Sequence, residues 1–136
     1  MIRKFSSKAN IKRVMVAIAN GSEEIETVSV VDILRRAQAD VTVAKVDGDK
    51  GLMSTMSRGV KIEADTRLEK VMNDQFDAIV LPGGLKGAEA FRDSEMLVDM
   101  VRQYLNDKSK LVCAICATPA VVLHHHFDKC LIPLLD

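Results

Sequence analysis

The sequence predicts one α/β domain, a mostly parallel sheet with helices on both faces. Short β-branched apolar runs, read as buried strands, alternate along the chain with amphipathic helical runs. Unusual residues also cluster just after the predicted strands, at the edge where open α/β sheets bind ligands. A chain of 136 residues is one domain's length and buries roughly two thirds of its unfolded surface.

Val14 to Ala19 reads as the first buried strand, and Asn20-Gly21-Ser22 as a turn. Asn20 and Glu23 have the spacing of a capping box, so a helix is expected over Glu23 to Ala37. Its apolar face is Ile25, Val28, Val31, Ile33 and Leu34, and Arg35 and Arg36 suit its C-terminal end. Val41 to Val46 is the second strand, followed by the loop Asp47-Gly48-Asp49-Lys50-Gly51. Residues 52–64 hold two short strands around Ser57-Arg58-Gly59, and Leu68 to Met72 is a short helix. Ala78 to Leu81 is a buried strand ending at Pro82-Gly83-Gly84. Ser94 caps an amphipathic helix reaching Asn106, and Leu111 to Ile115 is the next strand.

Composition narrows the function. The chain has net charge zero, no Trp and one Tyr, which argues against specific nucleic-acid binding through basic patches or stacking platforms. Its longest apolar stretch, Leu111 to Leu123, is too short to span a bilayer. Three cysteines, Cys113, Cys116 and Cys130, suit a reducing, cytoplasmic compartment better than secretion. The start, Arg3, Lys4, Lys8, Lys12 and Arg13 with no acid through residue 22, is of the organelle transit type, so residues 1–13 read as a basic extension with a mitochondrial address as the alternative. Residues 14–136 form the domain.

Three segments converge on the carboxyl edge of the sheet: Asn20 to Glu26, Pro82 to Gly87, and Cys116 to Pro119. Cys116 ends a strand and precedes a helix with Pro119 early in it. Unpaired backbone N–H groups at such a turn favour the thiolate, the reacting form of cysteine. Cys113 shares the segment, but in a strand residues three apart point to opposite faces, so Cys113 is expected to be a core cysteine rather than a redox partner. Consecutive His124, His125 and His126 point about 100° apart on a helix and do not converge on a metal.

The motifs Asn20-Gly-Ser-Glu-Glu-Ile-Glu-Thr27, Val31-Asp-Ile-Leu-Arg-Arg-Ala37, Ser57-Arg-Gly59, Leu81-Pro-Gly-Gly84, Gly87-Ala88 and Ala114-Ile-Cys-Ala117 with Pro119, in this order, resemble the DJ-1/PfpI superfamily in its DJ-1 and YajL/ThiJ branch. The resemblance implies a flavodoxin-like three-layer sandwich, a homodimer, and no metal or organic cofactor. By the same resemblance Cys116 is the reactive cysteine and Glu26 the glutamate that hydrogen-bonds to it. The N–H groups of Gly84 and Ala117 form the oxyanion pocket. Expected substrates are small dicarbonyls or glycated groups, in a glyoxalase or deglycase reaction linked to oxidative stress. The alternative is a redox sensor or chaperone acting through oxidation of Cys116, or an inactive isoform. Met56 stands near where many relatives carry another cysteine.

The resemblance stops at Leu123. The tail, residues 124–136, does not match, and the family's site histidine lies further along than His124, His125 or His126. The chain therefore reads as C-terminally truncated, with part of the sheet and one helical layer incomplete.

Overall fold

The computed structural model describes residues 11–48 and 50–127; the N-terminal segment 1–10 and the residues from 128 onward, Cys130 included, lie outside the described residues. Among the described residues the elements follow in the order β1 (Arg13–Ile18), α1 (Glu24–Arg36), β2 (Asp40–Lys45), β3 (Met53–Thr55), β4 (Lys61–Glu63), β5 (Thr66–Arg67), α2 (Leu68–Val71), β6 (Ala78–Leu81), α3 (Leu85–Arg92), α4 (Glu95–Asn106), β7 (Leu111–Ala114) and α5 (Pro119–His124), the last a wide π-type turn. The main sheet has the order β5-β2-β1-β6-β7, with every pairing parallel. β3 and β4 form a separate antiparallel hairpin.

Strand pleating sends alternate residues to opposite layers. Val14, Val16, Val41, Ala78 and Val80 face α1, where Val30, Val31 and Leu34 pack against them. Met15, Ala17, Ile79 and Leu81 face α3, α4 and α5, with Phe91, Leu97, Val101, Tyr104 and Val122. This second layer is the thicker one. Burying side chains such as Phe91 and Leu97 stabilises it by about 1.5–3 kcal/mol each. Ser94 caps α4 as expected, its hydroxyl accepting from the Leu97 N–H at 3.3 Å.

Three sequence expectations are corrected. Asn20 does not cap α1, because its side chain bridges two loops: Nδ2 donates to Asp47 and Oδ1 accepts from the Thr55 N–H. Glu23 caps the helix instead, its Oε2 accepting from the Glu26 N–H at 2.8 Å. The apolar face of α1 is only half used, since Ile25, Val28 and Ile33 are exposed. Cys113 is exposed rather than in the core. β7 is an edge strand, in register with Ala78 and Val80. Its residues Leu111 and Cys113, and Ile115 just after it, lie on the α1 side, and the described residues leave that strip uncovered. Two elements went unforeseen, β5 and α3. Among the described residues no helix is long and apolar enough to cross a membrane.

Candidate active site

Cys116 sits in a left-handed backbone conformation, φ 62°. For a residue with a Cβ this costs about 1–3 kcal/mol and persists only where neighbours enforce it. The neighbours here are specific. The Ile115 N–H donates to Leu81 O at 3.2 Å, extending the β6–β7 pairing. The Thr118 N–H donates back to Ile115 O at 3.3 Å and closes the turn. Thr118 is fully buried, and its hydroxyl donates to Pro82 O at 2.7 Å, tying the turn to the loop after β6. Pro119 then starts the helix with its φ already set. The turn lifts the Cys116 side chain out of the sheet, where it is exposed.

Glu26 enters from the first turn of α1 and is half-buried. Its Oε2 accepts from the Gly83 N–H at 2.7 Å. A β-carbon placed on Gly83 would stand 2.5 Å from the Cys116 Cβ, 2.8 Å from Glu26 Oε2 and 3.0 Å from Cys116 Sγ. Carboxylate oxygen and sulfur therefore crowd one point beside Gly83. The carboxyl of Glu26 and the sulfur of Cys116 meet across Gly83, whose missing side chain makes room for both; the hydrogen bond of Glu26 Oε2 runs to the Gly83 N–H.

Gly84 opens α3 with φ 83°, a conformation suited to glycine, and packs against the Gly21–Glu23 turn. The Glu23 N–H donates to Gly83 O at 3.0 Å. In a trans peptide the carbonyl and the following N–H point in opposite directions, so this bond also fixes the direction of the Gly84 N–H. Among the described residues, neither the Gly84 nor the Ala117 N–H has a hydrogen-bond acceptor. Unengaged backbone donors of this kind can hold a developing oxyanion.

Glu24, which sequence reasoning passed over, supports this arrangement from behind. It is buried, and its carboxylate accepts from Ser57 Oγ and from the Arg58 N–H, both at 2.7 Å. Burial alone would raise its pKa; the bonds from Ser57 and from backbone N–H groups outweigh that and hold it below the ordinary value. The hairpin is thereby fastened to the start of α1, helped by the bonds Gly21 N–H to Thr55 O and Ser57 N–H to Ser22 O. The Glu-Glu-Ile-Glu run was visible in the sequence, but the hairpin partner was not. Met56 is buried in the hairpin. Arg35 and Arg36 make surface ion pairs with Asp65 and Asp32, away from Cys116. His126 bonds to Arg92 O at 2.7 Å, at the end of α3. Among the described residues no cluster of three or more His, Cys, Asp or Glu is placed to hold a metal ion.

Cys116 thus stands in a left-handed strand-to-helix turn with Glu26 across Gly83. A model of the DJ-1/PfpI family matches residues 12–129. The chain belongs to the DJ-1/PfpI family. The DJ-1 homolog B of Arabidopsis thaliana is 45% identical over 114 residues, which are 84% of this chain and 25% of that protein. The dj-1beta protein of Drosophila melanogaster is 41% identical over 114 residues, 84% of this chain and 59% of that one. Oxidized Toxoplasma gondii DJ-1 superposes with a TM-score of 0.81 at 46% identity, covering 85% of this chain and 61% of that one. This DJ-1/PfpI chain thus spans less than two thirds of each of these relatives, and its sheet and flanking helices have their flavodoxin-like fold.

Proposed function

We propose that this chain is a DJ-1-like, cysteine-dependent protein of oxidative-stress defence acting on small reactive dicarbonyls, in the manner of a glutathione-independent glyoxalase or a protein deglycase. The observation that carries the reading is the convergence of Cys116 Sγ and Glu26 Oε2 beside Gly83. A family relative from Pyrococcus furiosus, 29% identical over 111 residues, is named a deglycase, which supports the reaction class. The Cys116 thiolate attacks the aldehyde carbon of methylglyoxal. A C–S bond forms, and the carbonyl electron pair moves onto oxygen, between the Gly84 and Ala117 N–H groups. Protonation gives a hemithioacetal. Glu26 then carries the proton from the former aldehyde carbon to the neighbouring carbonyl carbon, while the hemithioacetal hydroxyl proton passes to the former ketone oxygen; this leaves a thioester that water cleaves to lactate and free thiol. The aldehyde is oxidised and the ketone reduced within one molecule, so the balance closes without metal or organic cofactor.

Methylglyoxal loss followed for the wild type and for Cys116→Ala tests the proposal. A rate that depends on Cys116 is the expected result; equal rates overturn it.

The exposure of Cys116 favours a second reading, a redox sensor or chaperone-like protein in which peroxide converts the thiolate to sulfenic and then sulfinic acid. Oxidation concentrated at Cys116 over Cys113, which is also exposed, read by mass spectrometry after mild peroxide, supports it. Uniform oxidation counts against it. Both readings keep the expected homodimer and a cytoplasmic or mitochondrial location.

A further inference from the structure

Thr118 follows Cys116 by two positions and has no part in the chemistry above. It is fully buried, and its hydroxyl donates to the Pro82 carbonyl. A buried hydroxyl needs a partner, and on that account alone the bond would be ordinary. The peptide it grips makes it more. The Pro82 C=O and the Gly83 N–H are the two ends of one trans peptide unit, and the Gly83 end donates to Glu26 Oε2 at 2.7 Å. A peptide unit is planar and turns as a single plate. Hydrogen bonds at its two ends polarise one another. A hydroxyl on the turn of the nucleophile therefore sets the direction and strength of the bond that holds the carboxylate facing that nucleophile.

The bonds that close the turn itself do not involve this hydroxyl. They run from the Ile115 N–H to Leu81 O and from the Thr118 N–H to Ile115 O. The next peptide along is held separately, by the Glu23 N–H on Gly83 O. Removing the hydroxyl leaves those restraints in place and frees one peptide, the one that touches Glu26.

The geometry points to Thr118 as a positioning residue that aligns Glu26 on Cys116 through the Pro82–Gly83 peptide. The inference rests on the reading of Cys116 and Glu26 as the reacting pair. No motif in the sequence marks it, because the link joins residues from three separate segments.

The test uses the full chain, labelled with nitrogen-15, and two readouts. One is the Gly83 amide proton resonance; the other is the rate of iodoacetamide alkylation at Cys116 near neutral pH, resolved from Cys113 by peptide mass spectrometry. Thr118→Val removes the hydroxyl at nearly constant shape. It is expected to move the Gly83 amide proton upfield and to slow Cys116 alkylation about two- to tenfold, with the Cys113 rate unchanged. Thr118→Ser keeps the hydroxyl and restores both readouts. In a Glu26→Gln background, Thr118→Val adds no further slowing, since its effect runs through the carboxylate. If Thr118→Val does not fold, Thr118→Ala takes its place. A folded hydroxyl-free variant with the wild-type Gly83 resonance and Cys116 rate overturns the inference, as does a serine variant that behaves like valine, or full additivity with Glu26→Gln. Neither readout needs dicarbonyl turnover. A wild type inactive on methylglyoxal would overturn the functional reading, while the inference would still be decided by the amide and alkylation results.

Discussion

Gly83 and Cys116 are packed so closely that a β-carbon on Gly83 would lie 2.5 Å from the Cys116 Cβ, an atom with no freedom to swing aside. The same β-carbon would lie 2.8 Å from Glu26 Oε2. Gly83→Ala must therefore either separate the loop after β6 from the turn after β7 or push Glu26 off the Gly83 N–H. Overpacking of this kind costs about 1–3 kcal/mol. The expected outcome is a variant less stable by that amount in urea unfolding, with Cys116 alkylation changed severalfold or more. An alanine variant with wild-type stability and wild-type Cys116 reactivity would falsify this crowding.

What the sequence could disclose was governed by how local each feature is. β1, β2, β6 and β7 were readable because a short β-branched run is its own signal, and Ser94 because a cap lies next to its helix. α3 was not readable. It follows Pro82-Gly83-Gly84 directly and contains Gly87, a poor helix former. The structure supplies the reason for that glycine: a β-carbon there would stand 2.5 Å from Ser22 Oγ. The cap of α1 is not legible locally, because Asn20 has two suitable partners in distant loops, Asp47 and Thr55. Strand alternation separates Cys113 from Cys116 but does not say which face is covered, and on the edge strand β7 the face of Cys113 is open. Cys116 and Glu26 could be named from their motifs, but the loop that joins them could not be weighed. The bond between Glu26 and Gly83 spans 57 residues, and the absent side chain at Gly83 acquires meaning only once Cys116 stands beside it.

Glu24 makes stability depend on acid in a defined direction. Burial raises its pKa, but the bonds from Ser57, Arg58 and neighbouring backbone N–H groups hold the folded value below the ordinary 4.5. The unfolded chain therefore takes up the proton more readily than the folded one. The stabilising contribution is complete above the ordinary glutamate value and is lost as pH falls through the lower folded value. Melting temperatures of the wild type and Glu24→Gln, compared from neutral pH down to about pH 3, should differ most near neutrality and converge in acid. A gap that widens in acid would show the sign to be wrong. The same titration should loosen the β3–β4 hairpin, because Ser57 and Arg58 are the residues Glu24 holds, and faster amide exchange at Ser57 and Arg58 in acid reports it.

Tyr104 provides the matching test at the opposite edge of the sheet. Its buried hydroxyl accepts from the Phe76 N–H at 3.0 Å and donates to Phe76 O at 3.1 Å, closing a small ring of bonds just before β6. Lys110 Nζ also donates to that carbonyl, at 2.6 Å. Tyr104→Phe therefore leaves the carbonyl with a partner and the N–H of a fully buried residue without one. An orphaned buried donor costs about 1–3 kcal/mol, so the midpoint of urea unfolding should fall accordingly with little change in its slope. Because Phe76 precedes β6 and Pro82 follows it, the loss should not reach the site. Cys116 alkylation in folded Tyr104→Phe is expected at the wild-type rate. A slowed rate would mean that the position of β6 along the sheet, and not only the loop at its end, sets how Gly83 meets Cys116.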